Sequence, residues 1–296
     1  MADKEIYWHL PGFCVNFYLN QSIIMLMQKY PEKFRDGYRI GSVYGTFPGA
    51  VWNGGRAVFG IFAKYNIEQL MSTYDRLNVP VRFTWTNSLL EEKHLNDTYC
   101  NMIMDIANNG KNQVLTNTDV LENYLRKKYP NFKFISSTTK RIVDSEELKK
   151  ELDKDYFMVV LDYDLNHDEE VLSSLEPVAD RVEILVDEIC YPHCPKRKEH
   201  YASESKAQLE FDRDSSFDCP NTKIKPSFAE SKRRPQFIGN DSIGDYIDRG
   251  FCNFKLVGRG LPIDFVKDSY MYYLVKDEYR DDIRTRLESM LAKTRG

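Results

Sequence analysis

Short runs of apolar and β-branched residues alternate along the chain with longer stretches of helical period, and Gly, Pro, Asn or Asp bound each run. Eight runs read as strands, at residues 7–10, 38–44, 81–86, 113–116, 133–137, 157–162, 182–187 and 251–257. Helical patterns follow at 15–30, 67–77, 97–107, 118–128, 145–152, 168–175 and 243–249, and 265–291 reads as one long helix or two. Ser145-Glu146-Glu147-Leu148 places a capping residue and early acids at a helix start, where they meet free N–H groups and the dipole. Pro80 and Pro130 stand just before strands, where a helix could not continue.

A strand–helix unit repeated eight times in 296 residues is the count of a TIM-type (β/α)8 barrel. An open doubly wound sheet would also alternate, but Tyr7-Trp8-His9-Leu10-Pro11-Gly12 lacks its glycine-rich first turn. The expectation is one barrel domain over residues 1–296, with a long insert after strand 7, at about 190–240. That insert is rich in Lys, Arg, Ser, Asp and Pro, shows little periodicity, and reads as an irregular, cysteine-bearing loop.

Composition narrows the setting. A hydrophobic content of 42% supports a large core, and 41 basic against 45 acidic residues argues against a nucleic-acid coat while allowing a local basic groove. The chain has no apolar run of about 18 residues, so no membrane span is expected. The polar start Met1-Ala2-Asp3-Lys4-Glu5 is unlike a signal peptide and predicts a cytoplasmic protein, in which six cysteines serve more readily as thiols or metal ligands than as disulfides.

In a barrel of this kind the chemistry gathers at the C-terminal strand ends. Those ends supply His9, Tyr44, Thr86 with Asn87, Thr116 with Asn117, residues 136–139, Asp162 with Asp164, Asp187 with Glu188, and Arg259. His9, Asn87 and Asn117 are candidates to bind substrate. The carboxylates Asp162, Asp164, Asp187 and Glu188 could activate water directly or through a metal. Lys255 and Arg259 share the inward face of the last strand, and the planar fork of Arg259 suits an anion. Gly258 before it would let a ligand approach the backbone. A salt bridge to Asp162, Asp164 or Asp187 is the competing role for Arg259.

Cys190, Cys194 and Cys219 follow strand 7 with the spacing Cys-x3-Cys-x24-Cys. Thiolates so placed can converge on one soft metal, zinc or an iron–sulfur cluster; three unrelated thiols on a long loop are the alternative. Cys14 could reach the mouth, whereas Cys252 and Cys100 sit in apolar patterns and read as core thiols. His193 and His200 flank the cysteines. Lys196-Arg197-Lys198 and Lys232-Arg233-Arg234 read as solvated charge or as phosphate contacts.

With these residues in view, the chain resembles the collagenase-like (U-32) peptidase family over roughly residues 109–279. Glu183-Ile184-Leu185-Val186-Asp187-Glu188-Ile189-Cys190 is similar to that family's strand ending in Val-His-Gly-Ala-x-Cys. Gly250-Phe251-Cys252-Asn253-Phe254-Lys255-Leu256-Val257-Gly258-Arg259 is similar to its Gly-Val-Asp-x-Phe-Lys-Ile-Glu-Gly-Arg segment. The stretch from Asn109-Gly110 to Ser136-Ser137-Thr138, and Val159-Val160-Leu161-Asp162-Tyr163-Asp164-Leu165, resemble its middle strands. The chain departs from the pattern where Asp187-Glu188 replaces His-Gly, Val257 replaces an acid, Asp162 stands at an arginine position, and Cys194 follows Cys190 too closely.

The resemblance implies a barrel that often carries a 4Fe–4S cluster, in members called peptidases or acting in hydroxylation of RNA bases or quinone precursors. It would make Cys190, Cys194 and Cys219 cluster ligands, with Cys14 or Cys252 as a fourth. Three functions are therefore open. One is hydroxylation-type modification of a small-molecule, peptide or RNA substrate, another hydrolysis by the mouth carboxylates, and the third binding without chemistry. Oligomeric state is not legible.

Overall fold

Each apolar run becomes a strand that pairs with the next, and the last strand returns to the first. The computed structural model describes residues 5–219 and 224–293. Its strands are β1 (Ile6–Pro11), β2 (Tyr38–Gly45), β3 (Val81–Trp85), β4 (Gln113–Thr116), β5 (Lys133–Ser136), β6 (Met158–Val160), β7 (Val182–Leu185) and β8 (Asn253–Lys255). They close in sequence order with every pair parallel, the ring being sealed by β1 against β8. This is a TIM-type (β/α)8 barrel.

Helices return the chain between strands: α1 (Phe17–Lys29), α2 (Lys64–Arg76), α3 (Thr98–Ala107), α4 (Asp119–Lys128), α5 (Ser145–Leu152) and α6 (Glu169–Leu175). After β7 come α7 (Arg197–Glu210), α8 (Phe228–Ser231) and α9 (Asn240–Asp248), and after β8 come α10 (Ile263–Leu274) and α11 (Arg280–Lys293). The C-terminal pattern is thus two helices. Between them Val275 leaves the helix to bridge Phe34, which pins the break. At α5 the cap is Asp144 rather than Ser145, its carboxylate accepting from the amides of Glu146 and Glu147 at 3.0 Å each.

Outward-facing strand residues meet the helices. Trp8 packs on Tyr38, Phe254 and Tyr273 with ring centroids 5.4, 5.4 and 5.2 Å away. Inside the barrel the two halves differ. Leu115, Ile135, Met158 and Val160 of β4 to β6 form an apolar cluster separate from the main core. The remaining strands send His9, Ser42, Arg82, Glu183 and Lys255 into the same interior.

The insert is not irregular throughout. Residues 197–210 form the 14-residue helix α7, whose buried side chains include Arg197, Tyr201, Ser205 and Gln208. They recur at helical spacing, but all are polar or amphipathic, so a hydrophobic period cannot reveal them. α7 crosses the barrel mouth. Gln208 accepts from the Val58 amide at 2.7 Å, Glu204 from the Ala57 amide at 2.6 Å, and Asn87 donates to the Ser205 carbonyl at 3.0 Å.

Candidate active site

Beneath α7, the strand ends enclose a cavity of about 90 Å³. Its walls come from Tyr44 of β2, the loop residue Arg56, Thr84 and Thr86 at β3, residues 137–139 after β5, Glu188 after β7, Arg197 and Tyr201 of α7, and Lys255 with Arg259 at β8. Four cationic side chains line this space against one carboxylate, Glu188. A larger cavity of about 1330 Å³ opens at the opposite face, around Tyr7, Tyr38, Phe157 and Asn253. That face lies at the N-terminal strand ends, away from where barrels of this kind place chemistry.

Arg259 donates to Thr84 Oγ1 at 3.0 Å and to Asn53 Oδ1 and the Gly54 carbonyl at 3.2 Å each. Arg56 donates to its neighbour's carbonyl, that of Gly55, at 2.9 Å. Among the described residues neither guanidinium has a carboxylate at ion-pair distance. Burial lowers the proton affinity of Arg259, so the charge gains from any anion brought to it. The third arginine, Arg197, stacks between Tyr163 and Tyr201, 5.2 and 4.7 Å from their centroids, and lies 3.5 Å from Glu188. Its Nε, with Thr86 Oγ1 and Thr138 Oγ1, is buried without a hydrogen-bond partner. Buried polar groups are nearly always paired with protein or water, so these three groups keep hydrogen-bonding capacity to offer.

Below the cavity the interior charges are paired. Glu183 receives Arg82 through Oε2, and Lys255 Nζ lies 3.0 Å from Oε1. Arg82 also donates to Gln113 at 2.8 Å and meets His9 Nδ1 at 3.1 Å. Burial alone would raise the Glu183 carboxyl, but Arg82 and Lys255 outweigh it and hold the group well below its usual range. Burial and Arg82 push His9 down to about 3, so its ring is neutral. Burial lowers Lys255 to about 8, with Glu183 opposing.

The strand-end candidates separate in space. His9 lies mid-strand, because β1 continues to Pro11, and it belongs to the interior network rather than the mouth cavity. Asn87 holds loops and α7 by donating to the Val51 and Ser205 carbonyls, and Asn117 donates to Thr139 Oγ1 at 2.8 Å. Asp162 and Asp164 face Arg141, whose Nη1 is 2.6 Å from Asp162 Oδ2 and whose Nη2 binds Asp164. Burial raises Asp162 to about 6 against that arginine. Asp187 accepts from the Val257 amide and from Ser269 Oγ, both at 2.7 Å, and burial raises it to about 7. None of these three aspartates lines the mouth cavity. Glu188 does, accepting from the amides of Ile189 and Cys190; burial works against its charge, but Arg197 and the Cys190 amide keep its carboxyl below the usual value. A side chain at Gly258 would meet Pro11 Cγ at 2.5 Å, so packing against β1 explains that glycine without a ligand.

Cys190, Cys194 and Cys219 line one small cavity together with His200. The donor types suit a soft metal. Their arrangement does not fit one as it stands, since among the described residues no three His, Cys, Asp or Glu side chains are grouped to hold an ion. Burial and Glu188 raise the Cys190 thiol in the metal-free protein. Cys14 is in the main core and is not among the residues around that cavity; burial pushes its thiol up to about 12. Cys100 and Cys252 are buried. In each basic cluster one arginine is buried, Arg197 over Tyr201 and Arg234 over Tyr191.

Sequence reasoning found Arg259 and Lys255 and read Arg197 as solvated charge or a phosphate contact, but passed over Arg56, Arg82, Glu183 and Tyr201; Arg197 is in fact buried. Glu183 and Arg82 carried a signal, as charges in the middle of otherwise apolar strands. Arg56 sits after Gly54-Gly55, where a Cβ on Gly54 would fall 2.2 Å from the Thr86 carbonyl. The close backbone approach there presents Arg56 to the cavity.

No family model and no curated protein matches the chain. Among solved structures it is similar to the U32 peptidase Mk0906, with a TM-score of 0.56 at 15% identity, covering 88% of this chain and 96% of that one. The likeness is one of fold. A GH113 β-1,4-mannanase aligns over 97% of this chain and 98% of its own with a TM-score of 0.39 and 10% identity. The barrel is therefore distantly U32-like. Among the described residues no helix is long and apolar enough to cross a membrane.

Proposed function

We propose that this U32-like barrel is an enzyme acting on a small substrate whose carboxylate or phosphate is held at the mouth by Arg259 and Arg56. The observation that carries this reading is the pair of guanidiniums without carboxylate partners, set among the unpaired Thr86, Thr138 and Arg197 donors around one cavity. An arginine fork binds such an anion through two parallel hydrogen bonds, and the enclosed setting strengthens them. Of the four carboxylates considered for hydrolysis, Glu188 alone lines this space, so a hydrolytic version of the reading rests on it.

Calorimetric titration with orthophosphate and with succinate tests the site. Both probes offer the shared anionic chemistry, and their ranking separates phosphate from carboxylate. Arg259→Lys keeps the charge and loses the fork, so affinity should fall roughly 10- to 100-fold while the melting temperature barely moves. Wild-type protein that binds neither anion, or a variant that binds them equally well, would refute the assignment.

The cysteine cavity favours a second reading, in which Cys190, Cys194 and Cys219 rearrange to hold an iron–sulfur cluster or zinc for hydroxylation-type modification. A bound cluster would supply one-electron redox chemistry. Iron, sulfide and zinc analysis of anaerobically purified protein tests it, with loss of metal expected when all three become serine. Metal retained in that triple variant would place the ligands elsewhere.

A further inference from the structure

Lys255 is a buried amine at the floor of the mouth cavity, 5% exposed. Its Nζ lies 3.0 Å from Glu183 Oε1, which serves as its counter-charge from the barrel interior. The ammonium is thus tethered from below while its side chain lines the cavity above. It sits 4.3 Å from the centroid of the Tyr44 ring, and the Arg259 guanidinium lies 6.0 Å from the same centroid. The two cations share one aromatic platform, one at the floor and one at the wall.

A lysine serving only as counter-charge to Glu183 has no need to line a cavity beside an arginine without a carboxylate. We propose that Lys255 is a nucleophile that condenses with the carbonyl carbon of an aldehyde or ketone whose carboxylate or phosphate is held by Arg259. This rests on the anion-binding reading of the mouth.

In the reaction Lys255 first gives a proton to solvent. The free amine's electron pair forms the N–C bond while the carbonyl π pair moves to oxygen. Two protons then convert that oxygen to water, one from the former amine and one returned by solvent, and the C–O bond breaks as N=C forms. The sum is ammonium plus carbonyl giving iminium plus water, with no change of oxidation state. Nitrogen is cationic at the start and at the end, and Arg82 keeps Glu183 ion-paired while the amine is neutral. Desolvation together with neighbouring cations is a recognised way to activate a lysine. Here burial is the larger influence, and Arg82 and Arg259 reinforce it against Glu183.

The full-length protein is incubated with pyruvate, reduced with borohydride and mapped by peptide mass spectrometry. Lys255 should acquire the carboxyethyl group on the order of tenfold faster than the exposed Lys127, as expected of an amine less protonated at neutral pH. Lys255→Arg preserves the charge opposite Glu183 and should lose the adduct at this position. Arg259→Ala should slow labelling by pyruvate more than labelling by neutral acetaldehyde. Lys255 modified no faster than Lys127 in the wild-type protein overturns the proposal, and needs no variant to fold. Orthophosphate titration on the same samples separates the two claims. Phosphate binding with an unreactive Lys255 removes the nucleophile and leaves the anion site. A reactive Lys255 without phosphate binding or Arg259 dependence overturns the anchored-carbonyl proposal and the anion site together.

Discussion

The barrel interior and the barrel mouth both concentrate buried charge, but they treat it oppositely. Inside, Arg82, Lys255 and neutral His9 surround Glu183, so the carboxylate is matched twice over. At the mouth, Arg259 is answered by a carbonyl, an amide oxygen and a hydroxyl, and Arg56, with no carboxylate at ion-pair distance among the described residues, is supported against burial from further off by Cys190, Glu188 and Glu204. A buried ion stays charged at a tolerable cost only when paired and hydrogen-bonded. The interior meets that condition by itself, whereas under the proposed function the mouth meets it with a bound anion. Charge inside the barrel is matched from within the fold, and on the proposed reading charge at its rim is matched by the substrate's anion.

The contrast is broken most directly at Glu183. Glu183→Gln leaves Arg82 and Lys255 buried without their counter-charge and should cost roughly 3–5 kcal/mol in urea unfolding. A loss below about 1 kcal/mol would mean the interior cations were not relying on it.

Asp187 gives a smaller, pH-dependent effect. Its carboxyl is raised by burial from 3.8 to about 7 in the folded protein. The folded state therefore holds the proton more tightly, and the contribution is complete at acid pH and lost as pH rises through about 7. Asp187→Asn keeps an acceptor for the Val257 amide and removes the ionisation. Melting temperature between pH 4 and 7 should decline less steeply than in the wild type, and parallel profiles would exclude the group.

The smallest effect on folding belongs to Thr86→Val. Its hydroxyl has no partner, so stability should stay within about 0.5 kcal/mol while phosphate affinity falls severalfold. A destabilised variant with unchanged affinity would place Thr86 with the interior rather than the rim.

The strands and most helices were legible because each buries an apolar face, and burial leaves a period in the sequence. Lys255 followed from the same alternation along β8, whereas Arg259 lies beyond the end of that strand and reaches the mouth from the loop after it. His9 was misjudged by the length of its strand, since two further residues of β1 move it from the rim into the interior. Arg141, which engages Asp162 and Asp164, stands at a left-handed position with φ of 58°, and nothing local announces its reach across to β6. α7 escaped notice for a deeper reason. What it faces is the polar rim of a barrel, so its inner side is built mainly from arginine, tyrosine, serine and glutamine, with Ala207 beside them.

That composition has a thermal consequence. Lifting α7 from the mouth would expose mainly hydrogen-bonding groups, whose hydration lowers heat capacity, whereas unfolding the barrel exposes aliphatic and aromatic surface, whose hydration raises it. The enthalpy of uncovering the mouth should accordingly change less with temperature than that of losing the barrel. The enthalpy of losing the barrel climbs steeply as the protein is warmed.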